Sequence, residues 1–202
     1  MMLLPPLDDD HVGLRMIVRP TEPHLRYCYG GQIAMAPALP GNSLKVRAQV
    51  SLVPAGIDTD GDETPTESPI VVSDPAEFRF KLTSELTVPS PVYYALESEI
   101  ERITGMTRME FVRSERCAQF IDQLPSIKVS IIGSEETNDQ LVHIYVKPSD
   151  YIALENGPRR KCRLDVSGIE NPNYSSLGRP FLNQVGLLVD YSQRLFGFCE
   201  PL

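Results

Sequence analysis

The sequence predicts a mainly β domain with one or two short helices. Three observations carry this expectation. Apolar and polar residues alternate over 44–53, 126–132 and 141–146, the period of half-buried strands. The segment 185–198 reads as a hairpin with Asp190–Gln193 near its tip. One stretch, Val92 to Ile103, places its apolar residues on a single helical face. A sandwich-like or barrel-like β domain follows.

With 202 residues the chain fits one sizeable domain, or at most two small ones, and can bury a real core. Hydrophobic residues make up 42% and charged residues 23%, an ordinary balance for a globular protein. The net charge of −8 comes without any long Lys/Arg run, which argues against nucleic acid as a partner. Arg159-Arg160-Lys161 is the tightest basic cluster and reads as a solvated loop. No apolar run reaches the roughly 18 residues that would predict a membrane span. The opening M-M-L-L-P-P-L-D-D-D is too short in apolar residues, and too acidic, to be expected to act as a secretory signal.

In chain order, residues 1–24 hold four prolines and an acidic triplet and are expected to form an irregular arm. A domain over 25–202 follows. Leu25–Ile33 suits a strand that turns at Gly30-Gly31, and Leu44–Val53 a half-buried strand. Residues 54–69 form an acidic loop insertion. Its run Asp58-Thr59-Asp60-Gly61-Asp62-Glu63 alternates carboxylates as a calcium loop does. The glycine stands fourth rather than sixth, however, and no helical flanks are evident, so a solvated hairpin insertion is the better reading. Ile70–Val72 and Phe78–Leu82 read as strands. Ser90 can cap a helix whose first position suits Pro91, with Val92, Leu96, Ile100 and Ile103 on its buried face. Ser126–Ile132 and Leu141–Val146 are strands, and Lys147–Asp150 turns the chain into Tyr151–Leu154.

The four cysteines, Cys28, Cys117, Cys162 and Cys199, lack C-x-x-C spacing, which weighs against zinc and thioredoxin-like chemistry. Taken alone they read as buried thiols of a reducing compartment, and four cysteines also permit three bridged pairings. His11, His24 and His143 are scattered, and His143 falls in a strand as a face residue. No G-x-S-x-G elbow, phosphate-cradling glycine loop or H-E-x-x-H helix occurs. No metal and no cofactor is expected.

The closing segment resembles a known family. Leu177-Gly178-Arg179-Pro180-Phe181-Leu182, then Val189-Asp190, then Phe196-Gly197-Phe198, is similar to the end of pepsin-like aspartic proteases. There, an apolar-Gly-x-x-Phe-Leu segment precedes a strand ending in V-F-D and a Gly-Phe strand. Cys117, Leu124-Pro125-Ser126-Ile127, Pro148-Ser149-Asp150-Tyr151-Ile152 and Cys162 resemble, in order, the disulfide loop of the family's C-terminal lobe. Cys28-Tyr29-Gly30-Gly31 is similar to the strand that opens that lobe. Each piece is short, and their shared order over residues 25–202 carries the likeness. It implies a single pepsin-like lobe with a Cys117–Cys162 disulfide. It also places Cys28 and Cys199 on neighbouring strands, where a second bridge can form. Bridged cysteines would imply an oxidising compartment, secretory or extracellular.

Catalysis in that family uses two aspartates that share a proton across a bound water, one from a D-[ST]-G-[ST] loop in each lobe. Aligned on Pro89 and the helix after it, the loop falls on Phe80-Lys81-Leu82-Thr83-Ser84. Thr83 and Ser84 match the family, Phe80 replaces its aspartate, and Leu82 replaces its glycine, where a bare backbone is wanted. Asp58-Thr59-Asp60-Gly61 is split by an extra residue and lies too far upstream to substitute. Asp74 and Glu77 are expected on the approach to the loop, and Asp190 matches a structural turn position. The expected function is therefore a non-catalytic, aspartic-protease-like module rather than an enzyme. It would act as a structural or protein-binding subunit of a larger assembly, with a second subunit or a copy of itself against its exposed interlobe face. The alternatives are one chain of a two-chain aspartic endopeptidase, or an inhibitor-like or ligand-binding descendant of the fold.

Overall fold

The alternating segments of the sequence become the strands of one large, curled sheet. In this computed structural model the residues described are 2–4, 15–17, 34–39, 44–55, 68–82, 85–133, 140–155, 161–190 and 194–199. Strand β1 is Met2–Leu4, β2 Arg15–Ile17, β3 Ala34–Pro37, β4 Lys45–Val53, β5 Val71–Val72, β6 Ala76–Phe80 and β7 Leu86–Pro89. Helices α1 (Ser90–Thr104) and α2 (Arg108–Arg113) follow, then β8 (Ser126–Ile132) and β9 (Gln140–Val146). A helical turn α3 (Pro148–Tyr151) leads into β10 (Ile152–Glu155), β11 (Lys161–Leu164) and β12 (Val166–Ile169). The chain closes with β13 (Ser176–Leu177), α4 (Arg179–Leu182), β14 (Gly186–Asp190) and β15 (Leu195–Cys199). The described chain is mainly β, as its sequence predicts.

The large sheet runs β12-β7-β13-β6-β4-β8-β9, with β5 also on β4. Its inner face is apolar because every second residue is: Val46, Ala48, Val50 and Leu52 on β4, Phe78 and Phe80 on β6, and Ile127, Val129 and Ile131 on β8 are all buried. A second sheet, β2-β1-β14-β15-β3, contributes Leu187, Val189, Phe196 and Phe198 to the same core. Antiparallel β14 and β15 form the predicted hairpin, with Asp190 opposite Leu195. Arg194 closes its turn in the left-handed region at φ 54°. Residues 191–193 lie outside the described residues.

Helix α1 buries Val92, Tyr93, Leu96 and Ile100, one continuous face. Its start differs from the sequence expectation. Pro89 holds the N-cap position, Ser90 is the first helical residue, and no side chain caps the end. Gly105, at φ 68°, ends the helix in the left-handed conformation, its N–H donating to the Glu101 carbonyl at 2.8 Å. Tyr93 packs so closely on β12 that a Cβ at Gly168 would stand 2.8 Å from its Cγ and Cδ1. Helix α2 was not legible as an apolar repeat, being six residues long. It is held by a capping box in which Thr107 and Glu110 satisfy each other's backbone N–H groups.

Two further expectations are corrected. The arm 1–24 is not irregular throughout, since Met2–Leu4 and Arg15–Ile17 pair with each other and β1 pairs with β14. Three-residue strands are too short to show a period. The thiol reading also fails: Cys117 and Cys162 form a disulfide across 45 residues, and Cys199 is disulfide-bonded as well. Cys28 lies outside the described residues. Disulfides are compatible with an oxidising compartment. Among the described residues no helix is long and apolar enough to cross a membrane.

Candidate functional site

The loop that begins at Phe80 is positioned by a strand insertion. Strands β6 and β7 flank the loop, and β13 lies between them, parallel to β6 and antiparallel to β7. Leu177 is thereby registered opposite Phe80. The two sequence segments that carried the family likeness, nearly a hundred residues apart, meet at this point. The Phe80 N–H donates to the Leu44 carbonyl and the Lys81 N–H to the Leu177 carbonyl, each at 3.0 Å. Both amides that open the loop are thus consumed by the sheet.

Alternation along β6 turns Ala76, Phe78 and Phe80 inward and Glu77 and Arg79 outward. Phe80 is 9% exposed. Its ring centroid lies 5.0 Å from that of Phe196, 6.1 Å from Phe198 and 6.3 Å from Phe181, all in tilted geometry. The domain's own aromatic residues therefore enclose Phe80. Lys81 and Leu82 are exposed, Leu82 by 47%. Thr83 and Ser84 lie outside the described residues.

A phenyl ring neither holds a proton nor orients a water, so the cluster cannot supply the acid-base pair of an aspartic protease. Of the two acids on the approach, Glu77 is committed elsewhere. Glu77 faces outward and pairs with Lys45 at 2.9 Å, and Asp74 lies in the exposed connection before β6. Asp190 ends β14 at the hairpin. The run Asp58–Glu63, the turn Gly30-Gly31, His11, His24, Arg159 and Arg160 lie outside the described residues, while Lys161 begins β11. Among the described residues no cluster of three or more His, Cys, Asp or Glu side chains is placed to hold a metal ion.

Asp150, Tyr93 and His143 are among the titratable groups that depart from their ordinary behaviour. Asp150, at the third position of α3, accepts the Lys147 N–H at 3.0 Å. Burial still pushes its carboxyl up to about 6, against the opposing pull of that bond, of the Lys147 charge and of Gln184. Burial also pushes the Tyr93 phenol up to about 12. His143 sits across from Ser130 on β8 and β9, with Nδ1 2.9 Å from the Ser130 hydroxyl. Its partial burial, and then the neighbouring Lys128 charge, lower its pKa.

Sequence reasoning missed the aromatic enclosure and the Ser130–His143 contact. The alternation of Phe78 with Phe80 and of Phe196 with Phe198 carried the signal for the first. The second depends on register, which the strand pattern alone does not fix. The chain matches no protein-family model, and comparison with curated protein sequences gives no match.

Proposed function

We propose that this chain is a non-catalytic, pepsin-like lobe that serves as a protein-binding or structural subunit. The observation that carries the reading is Phe80. It stands where the family's aspartate falls and is packed into the lobe's own core by Phe181, Phe196 and Phe198. Two features support the ancestry. The Cys117–Cys162 bridge is the one the likeness implies, and β13 carries the closing segment directly against the degenerate loop. Exposed Leu82, beside the buried ring, gives a partner an apolar point of contact at the former catalytic face.

Native mass spectrometry and light scattering on the chain from its natural source test this. The expected result is a defined assembly that dissociates on Leu82→Glu. A monodisperse monomer would overturn the subunit role. Peptidase activity of the purified chain at acid pH would overturn the non-catalytic one.

A further inference from the structure

The chain holds one N-x-[ST] triplet, Asn173-Tyr174-Ser175, with a residue other than proline at its middle. That pattern is the acceptor sequence for an N-linked oligosaccharide. The asparagine carboxamide takes the sugar, and the hydroxyl two residues on is needed for recognition. The fold sets the asparagine at the surface. Pro172–Tyr174 form a short 3-10 turn that leads into β13. Asn171, Pro172, Asn173 and Tyr174 are all exposed, Tyr174 by 58%. The Asn173 N–H donates to Asn171 Oδ1 at 3.1 Å and the Tyr174 N–H to the Asn171 carbonyl at 3.0 Å. Neither bond that closes the turn uses the Asn173 carboxamide.

Ser175 is placed in the opposite way, fully buried. Its N–H donates to the Pro172 carbonyl at 3.0 Å, and its carbonyl accepts the Arg79 N–H at 3.1 Å. Its hydroxyl has no hydrogen-bond partner among the described residues, whereas the next hydroxyl, that of Ser176, donates to Thr87 Oγ1 at 3.0 Å. Burying a hydroxyl without a partner lowers stability, so packing alone favours alanine at position 175. Recognition by a transferase gives the hydroxyl a use, and that use comes before the fold buries it. The disulfide bonding of Cys117, Cys162 and Cys199 is compatible with an oxidising compartment, where such acceptors are modified.

We propose that Asn173 carries an N-linked oligosaccharide, attached before β13 lodges between β6 and β7. In the transfer, catalysed by an oligosaccharyltransferase, the Asn173 carboxamide nitrogen bonds to the anomeric carbon of a sugar held on a lipid diphosphate. The bond from that carbon to the diphosphate oxygen breaks, the lipid diphosphate leaves with the electron pair, and the nitrogen gives up one proton to solvent. Lodging of β13 then buries the Ser175 hydroxyl and closes the acceptor. Since β13 runs parallel to β6, with Ser176 opposite Arg79 and Leu177 opposite Phe80, the sugar-bearing turn lies toward the start of β6, whereas Leu82 lies beyond its end. The site does not rest on the pepsin-like reading.

Mass spectrometry of the chain from its natural source, before and after peptide N-glycosidase in heavy-oxygen water, tests this. The intact mass should fall by that of an oligosaccharide, and Asn173 should become aspartate labelled with heavy oxygen. An intact mass that the enzyme leaves unchanged, with Asn173 unlabelled, overturns the site, and the parent chain alone can give that result. Asn173→Gln, an exposed change, should abolish the mass shift; a shift that survives it overturns the assignment. Ser175→Ala should abolish the shift too, with a urea midpoint no lower than that of the equally sugar-free Asn173→Gln. A sugar retained on Ser175→Ala, or a lowered midpoint, overturns the role given to the hydroxyl. For the order of events, purified oligosaccharyltransferase and its lipid-linked donor are offered unglycosylated chain made in bacteria, either folded or reduced and unfolded. The unfolded chain should be modified faster by about tenfold or more, because the folded one must first open around β13. Equal rates overturn the order.

Discussion

Phe80→Asp restores on paper the residue a pepsin-like loop requires, and the structure predicts that it damages the lobe instead. The ring is 9% exposed and has three aromatic neighbours within 6.3 Å. Deleting a phenylalanine side chain from such a site costs about 3–5 kcal/mol. The new carboxylate would sit among rings, and the backbone N–H groups of residues 80 and 81 already donate to Leu44 and Leu177. An ionised carboxylate without donors is worse than a cavity, so its pKa rises and it is held neutral where possible. The expected loss is about 5 kcal/mol at pH 7, a large share of a typical domain's stability. A folded-state pKa above the unfolded value of about 3.9 means that the loss is smallest below pH 4. It deepens as pH rises through the raised pKa and then levels. Urea denaturation followed by circular dichroism at pH 4 and pH 7 measures this, the chain having no tryptophan to report by fluorescence. Phe80→Leu, which keeps most of the volume, should lose less than about 1.5 kcal/mol. If Phe80→Asp is within about 1 kcal/mol of the parent chain, or gains acid-pH peptidase activity, the ring is not the packing element described above.

Three further outcomes follow from the geometry. Replacing Cys117 and Cys162 by serine opens a loop of 45 residues and should cost about 4 kcal/mol by the loop-entropy relation, read as a lowered urea midpoint. Gly168→Ala drives a Cβ into the Tyr93 ring at 2.8 Å and should cost about 1–3 kcal/mol; an unchanged thermal midpoint would show that the ring yields freely. Asp150 is raised from 3.8 to about 6, so the native state binds the extra proton, and stability is lost as pH rises from 4 to 6. Asp150→Asn keeps an acceptor for the Lys147 N–H and should shrink the pH 4 to pH 7 stability difference by about 1–2 kcal/mol after solvent screening. An unchanged difference would place the titration elsewhere.

Much of this fold was legible because period two is strict where one face is buried. β8 runs over the predicted residues Ser126–Ile132, β4 and β9 each differ from expectation by one residue at the start, and the helix at Ser90–Thr104 is the one its apolar face announced. What stayed hidden was non-local or too short. The lodging of β13 between β6 and β7 depends on pairing across almost a hundred residues, and no local pattern encodes it. Strands of three residues in a proline-rich arm show no period. α2 carries no apolar repeat of useful length, although Thr107 with Glu110 three residues on is a readable start signal. At the site, the lack of acid-base chemistry at Phe80 was visible but the direction of its ring was not. Reading the strand as 78–82 rather than 76–80 left open which of its side chains face the core.

Phe80 and Leu82 have opposite physical roles. Phe80 points inward, into an aromatic cluster that contributes to stability. Leu82 is 47% exposed, where it adds nothing to the core. An aspartate at position 80 alone cannot build a proton-sharing site, because a carboxylate needs donors and water, and position 80 offers three rings and two amides already bonded. A glycine at position 82 would leave the core untouched. Leu82 is thus the position at which binding and stability separate. Leu82→Glu should weaken a partner contact at constant urea midpoint, whereas any polar change at Phe80 lowers the midpoint whether or not a partner is present. A Leu82→Glu chain that loses both together would mean that this leucine belongs to the lobe's own packing and not to its surface.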